Sequence, residues 1–316
     1  MPALPKIFID GHEGTTGLKI HELLAARTDL EILKIETDKR KDPAERKKLL
    51  NAADIVFLCL PDTASKEAVA LIDNAHTKVI DASTAFRTDP TWTYGLPELS
   101  PAHRQKIKSS TRIANPGCHA TAFLLPVAPL VAAGIIPAST TLTCFSLTGY
   151  SGGGKKMIAQ YEDPAAPEKL KAPRHYALKL THKHLPEMKT QANLTHAPVF
   201  TPVVCNIHSG LTVETFLPNP TTSAEKIHTL LANHYKNEPF IKVAPFDEGA
   251  TLDDGFFDIT ACNNTNRADL FVFANPDSSQ IVLVTRLDNL GKGASGAAIQ
   301  CMNLLLGIDE TTALRA

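Results

Sequence analysis

Apolar and polar positions follow two different rhythms along this 316-residue chain, and the change between them divides it. In the first third, short apolar runs alternate with segments of helical spacing. KIFID, LEILKIE, DIVFLCLP and KVIDAS read as strands. Between them, LKIHELLAAR places Leu18, Ile20, Leu23 and Leu24 on one helical face, PAERKKLLNAA is a helix entered by Pro43, and SKEAVALIDNA is a third. Strand and helix in alternation predict a parallel sheet with both faces covered.

The rhythm changes after Cys118. TAFLLPVAPLVAAG reads as an apolar helix bounded by Gly134 and Pro137, and TTLTCFSLTGY alternates like a strand. TPVVCNIHSGLTVETFLP and LFVFANPDSSQIVLVTRLDN predict half-buried strands of an antiparallel sheet, the second folded at Asn275-Pro276-Asp277. From Tyr161 to Arg174 the chain reads as an exposed excursion. SGAAIQCMNLLLG is a last apolar helix, closed by Gly307. The fold class expected is therefore α/β followed by α+β, with the boundary near Cys118.

Charge narrows the partners. Lys and Arg total 32 against 33 Asp and Glu, a formal net charge of −1, so neither nucleic acid nor a membrane surface is expected and a small molecule is. No apolar run reaches the roughly 18 to 20 residues of a membrane helix. MPALPKIFIDG runs into a strand without the parts of a secretory signal, so the chain is expected in the cytoplasm. The six cysteines, at 59, 118, 144, 205, 262 and 301, are scattered without a CxxC pair and read as free thiols.

One of them is placed for chemistry. Cys118 follows Pro116-Gly117 directly before an apolar helix. Orphan N–H groups and the helix dipole favour a thiolate there; a buried packing cysteine is the equal alternative from this residue alone. At the front, Gly11, Gly14 and Gly17 form G-x-x-G-x-x-G between a strand and a helix, where backbone passes close to a pyrophosphate. The first gap is one residue longer than in the usual dinucleotide fingerprint. After the second strand, Glu36 suits the ribose hydroxyls of NAD, whereas Lys39, Arg40 and Lys41 suit the 2′-phosphate of NADP. Pro61, in LPDTAS, falls at the carboxyl edge of the sheet.

A nucleotide-binding half followed by a helix-capping thiol suggests attack on an acyl phosphate, a thioester, and its reduction to an aldehyde by NADPH. The acid/base candidates are His182 and His184 in LTHKHLPEM; two apart, they share a side of an extended segment. Metal ligation by the pair stays open, although no third ligand is near in sequence. An anion site is offered by SLTGYSGGGKK, with Lys155, by Ser83 and Arg87 in DASTAFR, and by Arg112.

Together the blocks GHEGTTG, DASTAFR, YGLPEL, NPGCHAT, TGYSGGGK, HKHLPE and LDNLGKGASGAAIQCMNLLLG resemble the N-acetyl-γ-glutamyl-phosphate reductase family, in its shorter branch, with matches from Gly11 to Gly307. The resemblance implies a Rossmann-type NADP-binding domain over 1–117, completed by the C-terminal helix at 293–316. Residues 118–292 would form a largely antiparallel α+β catalytic and oligomerisation domain like that of aspartate-semialdehyde dehydrogenase. It implies Cys118 as nucleophile and the base on His182 first, His184 second, with His119 as a neighbour. NADP contacts are expected from Gly11, Gly14, Thr15, Thr16, Gly17, Lys39, Arg40, Pro61, Ser83, Gly149, Ser151, Gly152, Asn289 and Lys292. Substrate contacts are expected from Asn115, Ser83, Arg87, Arg112 and Lys155, and a homo-oligomer, dimer or tetramer, is implied. The rivals are the same chemistry on aspartyl phosphate or a carrier-linked aminoadipyl phosphate, a cysteine hydrolase, and a nucleotide sensor with an inert thiol.

Overall fold

The computed structural model describes residues 3–11, 14–217, 220–246 and 250–316; His12 and Glu13 of the front glycine turn lie outside the described residues. The chain forms two compact units, one of residues 1–116 with 294–314, the other of residues 117–293 with the last two residues.

The first unit is built on β1 (Lys6–Asp10), β2 (Glu31–Leu33), β3 (Ile55–Leu58), β4 (Lys78–Asp81), β5 (Thr93–Tyr94) and β6 (Arg112–Ala114). All pair in parallel, in the order β2-β1-β3-β4-β6-β5. The chain runs outward from β1 to β2 and then returns to β3 on the other side. The carboxyl ends of β1 and β3 are thus a topological switch point, where open α/β sheets bind ligands.

Alternate residues of these strands feed two cores. Ile7, Ile9, Ile55, Phe57, Ile80 and Ile113 pack with α1 (Thr15–Leu24) and α9 (Gly296–Leu306). Phe8, Val56, Leu58 and Val79 pack with Leu50 and Ala53, around α2 (Pro43–Ala52), and with Ala68 of α3 (Asp62–Ala70). Each such side chain contributes about 1.5–3 kcal/mol on burial. On α1 the inner stripe is Gly17, Ile20 and Leu24, and Leu18 faces outward, 49% exposed. The first unit also holds α4 (Pro101–Ser109), which no apolar period announces; Ser100 caps it by accepting the His103 N–H, and Pro101 opens its first turn.

The second unit carries α5 (Cys118–Ala132), β7 (Thr143–Gly149), α6 (Gly154–Glu162), β8 (Arg174–His175), α7 (Leu185–Gln191), β9 (Val199–Cys205), β10 (Leu211–Leu217), α8 (Ala224–Tyr235), β11 (Ile241–Val243), β12 (Ala268–Ala274) and β13 (Ile281–Leu287). Its sheet runs β11-β12-β13-β10-β7-β9-β8. It is mixed: β11 with β12 and β7 with β9 are parallel, and the other neighbours are antiparallel. The hairpin at Asn275 joins β12 to β13.

Helix α5 lies on β10 and β13 and stays helical through Pro126 and Pro129. Pro129 has no N–H to give the Leu125 carbonyl, and the Tyr235 hydroxyl donates to that carbonyl instead. The predicted excursion begins inside α6 and is otherwise mostly exposed, apart from Leu170.

Candidate active site

In the first unit, β1 ends at Asp10 and the chain turns at Gly11 with φ +87°. A Cβ there would stand 2.4 Å from the Cys59 carbonyl oxygen, so only glycine lets β1 and β3 end this close together. The Gly14 N–H bonds the Gly11 carbonyl at 3.0 Å, and Gly14 caps α1 without any side-chain acceptor. The N–H groups of Thr15, Thr16 and Gly17 therefore begin a helix whose end is not closed by a side chain, as a phosphate requires. These residues fit the pyrophosphate of a dinucleotide.

Around that turn, Pro61 caps α3, and Lys39 and Arg40 lie in the turn after β2. Asp10 is buried and ion-paired with Arg46 at 2.8 Å. Ser83 donates to Asp81 at 2.6 Å; burial raises the Asp81 carboxyl, and the nearby Ser65 hydroxyl, the Ser83 bonds and the charge of Arg87 oppose that.

Two basic candidates are corrected, and a third is placed. Arg112 opens β6 at the amino end of the sheet, and its Nη1 donates to the Thr77 and Thr111 carbonyls, at the edge opposite the glycine turn. Arg87 is buried, and its Nε and Nη2 hold the Asn115 and Ala82 carbonyls. It braces the loops after β4 and β6 rather than presenting an open fork. Lys292, in the second unit, is fully buried with its ammonium 5.9 Å from the centre of the Phe240 ring. Asn115 is also buried, its amide nitrogen donating to the Ala294 carbonyl at 3.0 Å.

The second unit gathers its candidates around the start of α5. Cys118 is the first residue of that helix and Gly117 caps it with extended backbone and no side-chain bond. A Cβ on Gly293 would lie 2.6 Å from the Cys118 Cβ, so the absence of a side chain there lets a backbone strand lie directly against the cysteine. The Gly117 N–H donates to Glu187 Oε2 at 3.1 Å, and the other carboxylate oxygen of Glu187 stands 4.0 Å from His184 Nε2. Glu187 is buried, so a single carboxylate links the residue before the thiol to a candidate base.

The histidines meet by a turn, not by sharing one side of an extended segment. The residues ahead of α7 turn, the Leu185 N–H bonding the His182 carbonyl at 3.0 Å, and the His184 N–H donates to His182 Nδ1 at 3.2 Å. The two rings lie 4.7 Å apart and nearly perpendicular. Both rest on His119, at 5.4 and 5.5 Å. His119 Nδ1 is 3.0 Å from Ser146 Oγ and its Nε2 is 2.9 Å from the Tyr176 hydroxyl. Burial first, then the charges of His182 and Lys183, push His119 well below the ordinary histidine range. Burial, and second the charge of Cys118, push the Tyr176 phenol up, so it keeps its proton.

Gly149, Ser151, Gly152 and Asn289 form a separate knot in the same unit. Asn289 accepts from the Gly210 N–H and donates to Ser151 Oγ at 2.9 Å. A Cβ on Gly149 would meet the His208 carbonyl oxygen at 2.5 Å, and one on Gly152 would lie 3.6 Å from the Asn289 amide. Lys155 is exposed in the first turn of α6. All six cysteines are free thiols, and among the described residues no group of three or more His, Cys, Asp or Glu is arranged to hold a metal ion.

Sequence reasoning missed Tyr176, Ser146, Glu187 and Gly293. Glu187 had a signal, standing three residues after His184 ahead of a helix. Tyr176 and Ser146 had none, since they reach His119 only through strand pairing.

The chain matches two family models. "Semialdehyde dehydrogenase, NAD binding domain" covers residues 6–107, and "Semialdehyde dehydrogenase, dimerisation domain" covers 118–289. N-acetyl-gamma-glutamyl-phosphate reductase 2 of Nostoc sp. is 46% identical over 98% of this chain and 99% of its own. The N-acetyl-gamma-glutamyl-phosphate reductase of Rhizobium meliloti is 46% identical over 96% and 99%. Among solved structures, aspartate semialdehyde dehydrogenase from Francisella tularensis superposes with a TM-score of 0.73 at 13% identity, covering 96% of this chain and 100% of that one. Aspartate semialdehyde dehydrogenase II from Vibrio cholerae gives 0.70 at 17% identity, over 96% and 99%. These structures share its fold.

Proposed function

The chain belongs to the N-acetyl-γ-glutamyl-phosphate reductase family, and on that premise we propose that it reduces N-acetyl-γ-glutamyl phosphate to N-acetyl-L-glutamate 5-semialdehyde and phosphate with NADPH, a step of arginine biosynthesis. One observation in the fold carries the chemical reading. Cys118 begins α5, and the half-buried His182 and buried His184 are packed on the very next residue.

The Cys118 thiolate attacks the acyl carbon. A C–S bond forms, the C–O bond to phosphate breaks, and inorganic phosphate leaves with the electron pair. When bound, the reduced nicotinamide supplies a hydride to that acyl carbon. His182 or His184, as imidazolium, gives a proton to the acyl oxygen and recovers it as the carbonyl re-forms and the C–S bond breaks.

The residues we assign to NADP are Gly11, Gly14 and the first turn of α1, with Lys39 and Arg40 for the 2′-phosphate and Pro61 and Ser83 at the same sheet edge. Lys155 is assigned to the substrate's anionic groups. The 1–117 segment with the last helix is read as the cofactor domain, and 118–292 as the catalytic and oligomerisation domain.

No described helix is long and apolar enough to cross a membrane, and we place the enzyme in the cytoplasm. A homo-oligomer through the sheet of the second unit is supported by Phe216 and Val199, which register with Thr143 on one face and are 44% and 38% exposed.

The test is phosphate-dependent reduction of NADP with two aldehydes side by side. N-acetylglutamate 5-semialdehyde is expected to be the better substrate by kcat/KM. A preference for aspartate semialdehyde would assign the chain to the other acyl phosphate. Activity needing neither phosphate nor NADP would point to a hydrolase.

A further inference from the structure

Next to the nucleophile in the chain, and packed on both candidate bases, is a third imidazole to which the reaction assigns no role. His119 follows Cys118 in the first turn of α5, is 3% exposed, and touches the His182, His184 and Phe200 rings at 5.2–5.5 Å. Tyr176, which holds one of its nitrogens, also lies 5.7 Å from the His182 ring. We propose that His119 is a positioning residue: held at both ring nitrogens by the Ser146 and Tyr176 hydroxyls, it is the surface that seats the acid/base histidine beside Cys118.

The chemistry of the pair of hydroxyls explains why an imidazole stands here. A neutral imidazole offers one N–H and one acceptor, and a hydroxyl can take either role, so both nitrogens are satisfied in either tautomer. The ring is therefore fixed at two points without carrying charge. An apolar ring would fill the space but leave the buried Ser146 hydroxyl and the half-buried Tyr176 hydroxyl without this partner. Neutrality matters to the neighbours. The titratable groups facing His119 are His182, His184, Lys183 and Tyr176, with Glu187 behind His184 and Cys118 its chain neighbour. A second cation at position 119 would oppose protonation of the base; a neutral ring does not.

The inference rests on Cys118 being the nucleophile, and its test is separable from that reading. In His119→Ala, kcat is expected to fall roughly tenfold to a hundredfold, as a displaced catalytic group does, with NADPH binding unchanged. In phosphate-dependent NADP reduction, where the histidine must be neutral to take the proton, the acid limb of kcat/KM should move to higher pH, because water entering the gap favours the protonated base. Tyr176→Phe and Ser146→Ala keep the ring and remove one tether each, so each should give a smaller fall and a shift of the same sign, with the melting temperature retained. An acid limb that stays in place in all three variants would overturn the proposal, whatever happens to kcat. Failure of the underlying reading is seen elsewhere, as turnover retained in Cys118→Ser.

Discussion

Helices α1 and α5 begin alike and end up equipped for different work. Each is entered through a glycine with extended backbone, and neither glycine is joined by a side-chain cap. At α1 the described residues leave backbone at Gly11, Gly14 and Gly17, and the first turn holds no carboxylate of its own. At α5 the start is furnished. The first residue is a thiol, the cap N–H is taken by Glu187, and Gly293 backbone lies against the cysteine. A bare helix end favours an anion that comes and goes. A furnished one fixes a reacting group and the acids and bases around it.

That contrast can be broken experimentally. The largest effect should come from Cys118→Ser, which keeps the shape and removes thiolate chemistry. Turnover is expected to fall at least about a thousandfold while NADPH still binds, by fluorescence titration; substantial residual turnover would dismiss the covalent route. Gly11→Ala is the converse. Its positive φ costs about 1–2 kcal/mol and its Cβ would strike the Cys59 carbonyl, so NADPH affinity should drop about tenfold or more. Alkylation of Cys118 by iodoacetamide should be unaffected, and a parallel loss of thiol reactivity would show that the two helix starts are not independent. Arg112→Ala should do least. Its guanidinium ties two backbone carbonyls, so about 1 kcal/mol of stability is expected to go, with KM within about twofold of the parent. A large rise in KM would return Arg112 to the substrate site.

Much of the first unit was legible because its strands are buried on both faces and its helices carry a clear apolar period. The hairpin at Asn275 was legible from its turn residues. Helices α4 and α8 were not read, although each has a serine cap, at Ser100 and Ser223. In α4 only Ile107 is buried, so no period forms and the cap is a short signal on its own, whereas α8 carries a period at Ala224, Ile227, Leu231 and Tyr235. The basic residues misled for a related reason. Arginine and lysine suggest anions by type, but Arg87 and Arg112 spend their donors on the protein's own carbonyls, which residue type does not reveal.

The sequence by itself determined the nucleophile candidate, the glycine turn and the histidine segment. Each is a local pattern of two to seven residues whose chemistry travels with the residue types. Only the tertiary structure decided that His182 and His184 converge through a turn on His119, that Ser146 and Tyr176 hold that ring, and that Glu187 reaches back to Gly117. Those contacts join residues tens of positions apart. Strand register and helix packing set them, and no local spacing encodes either.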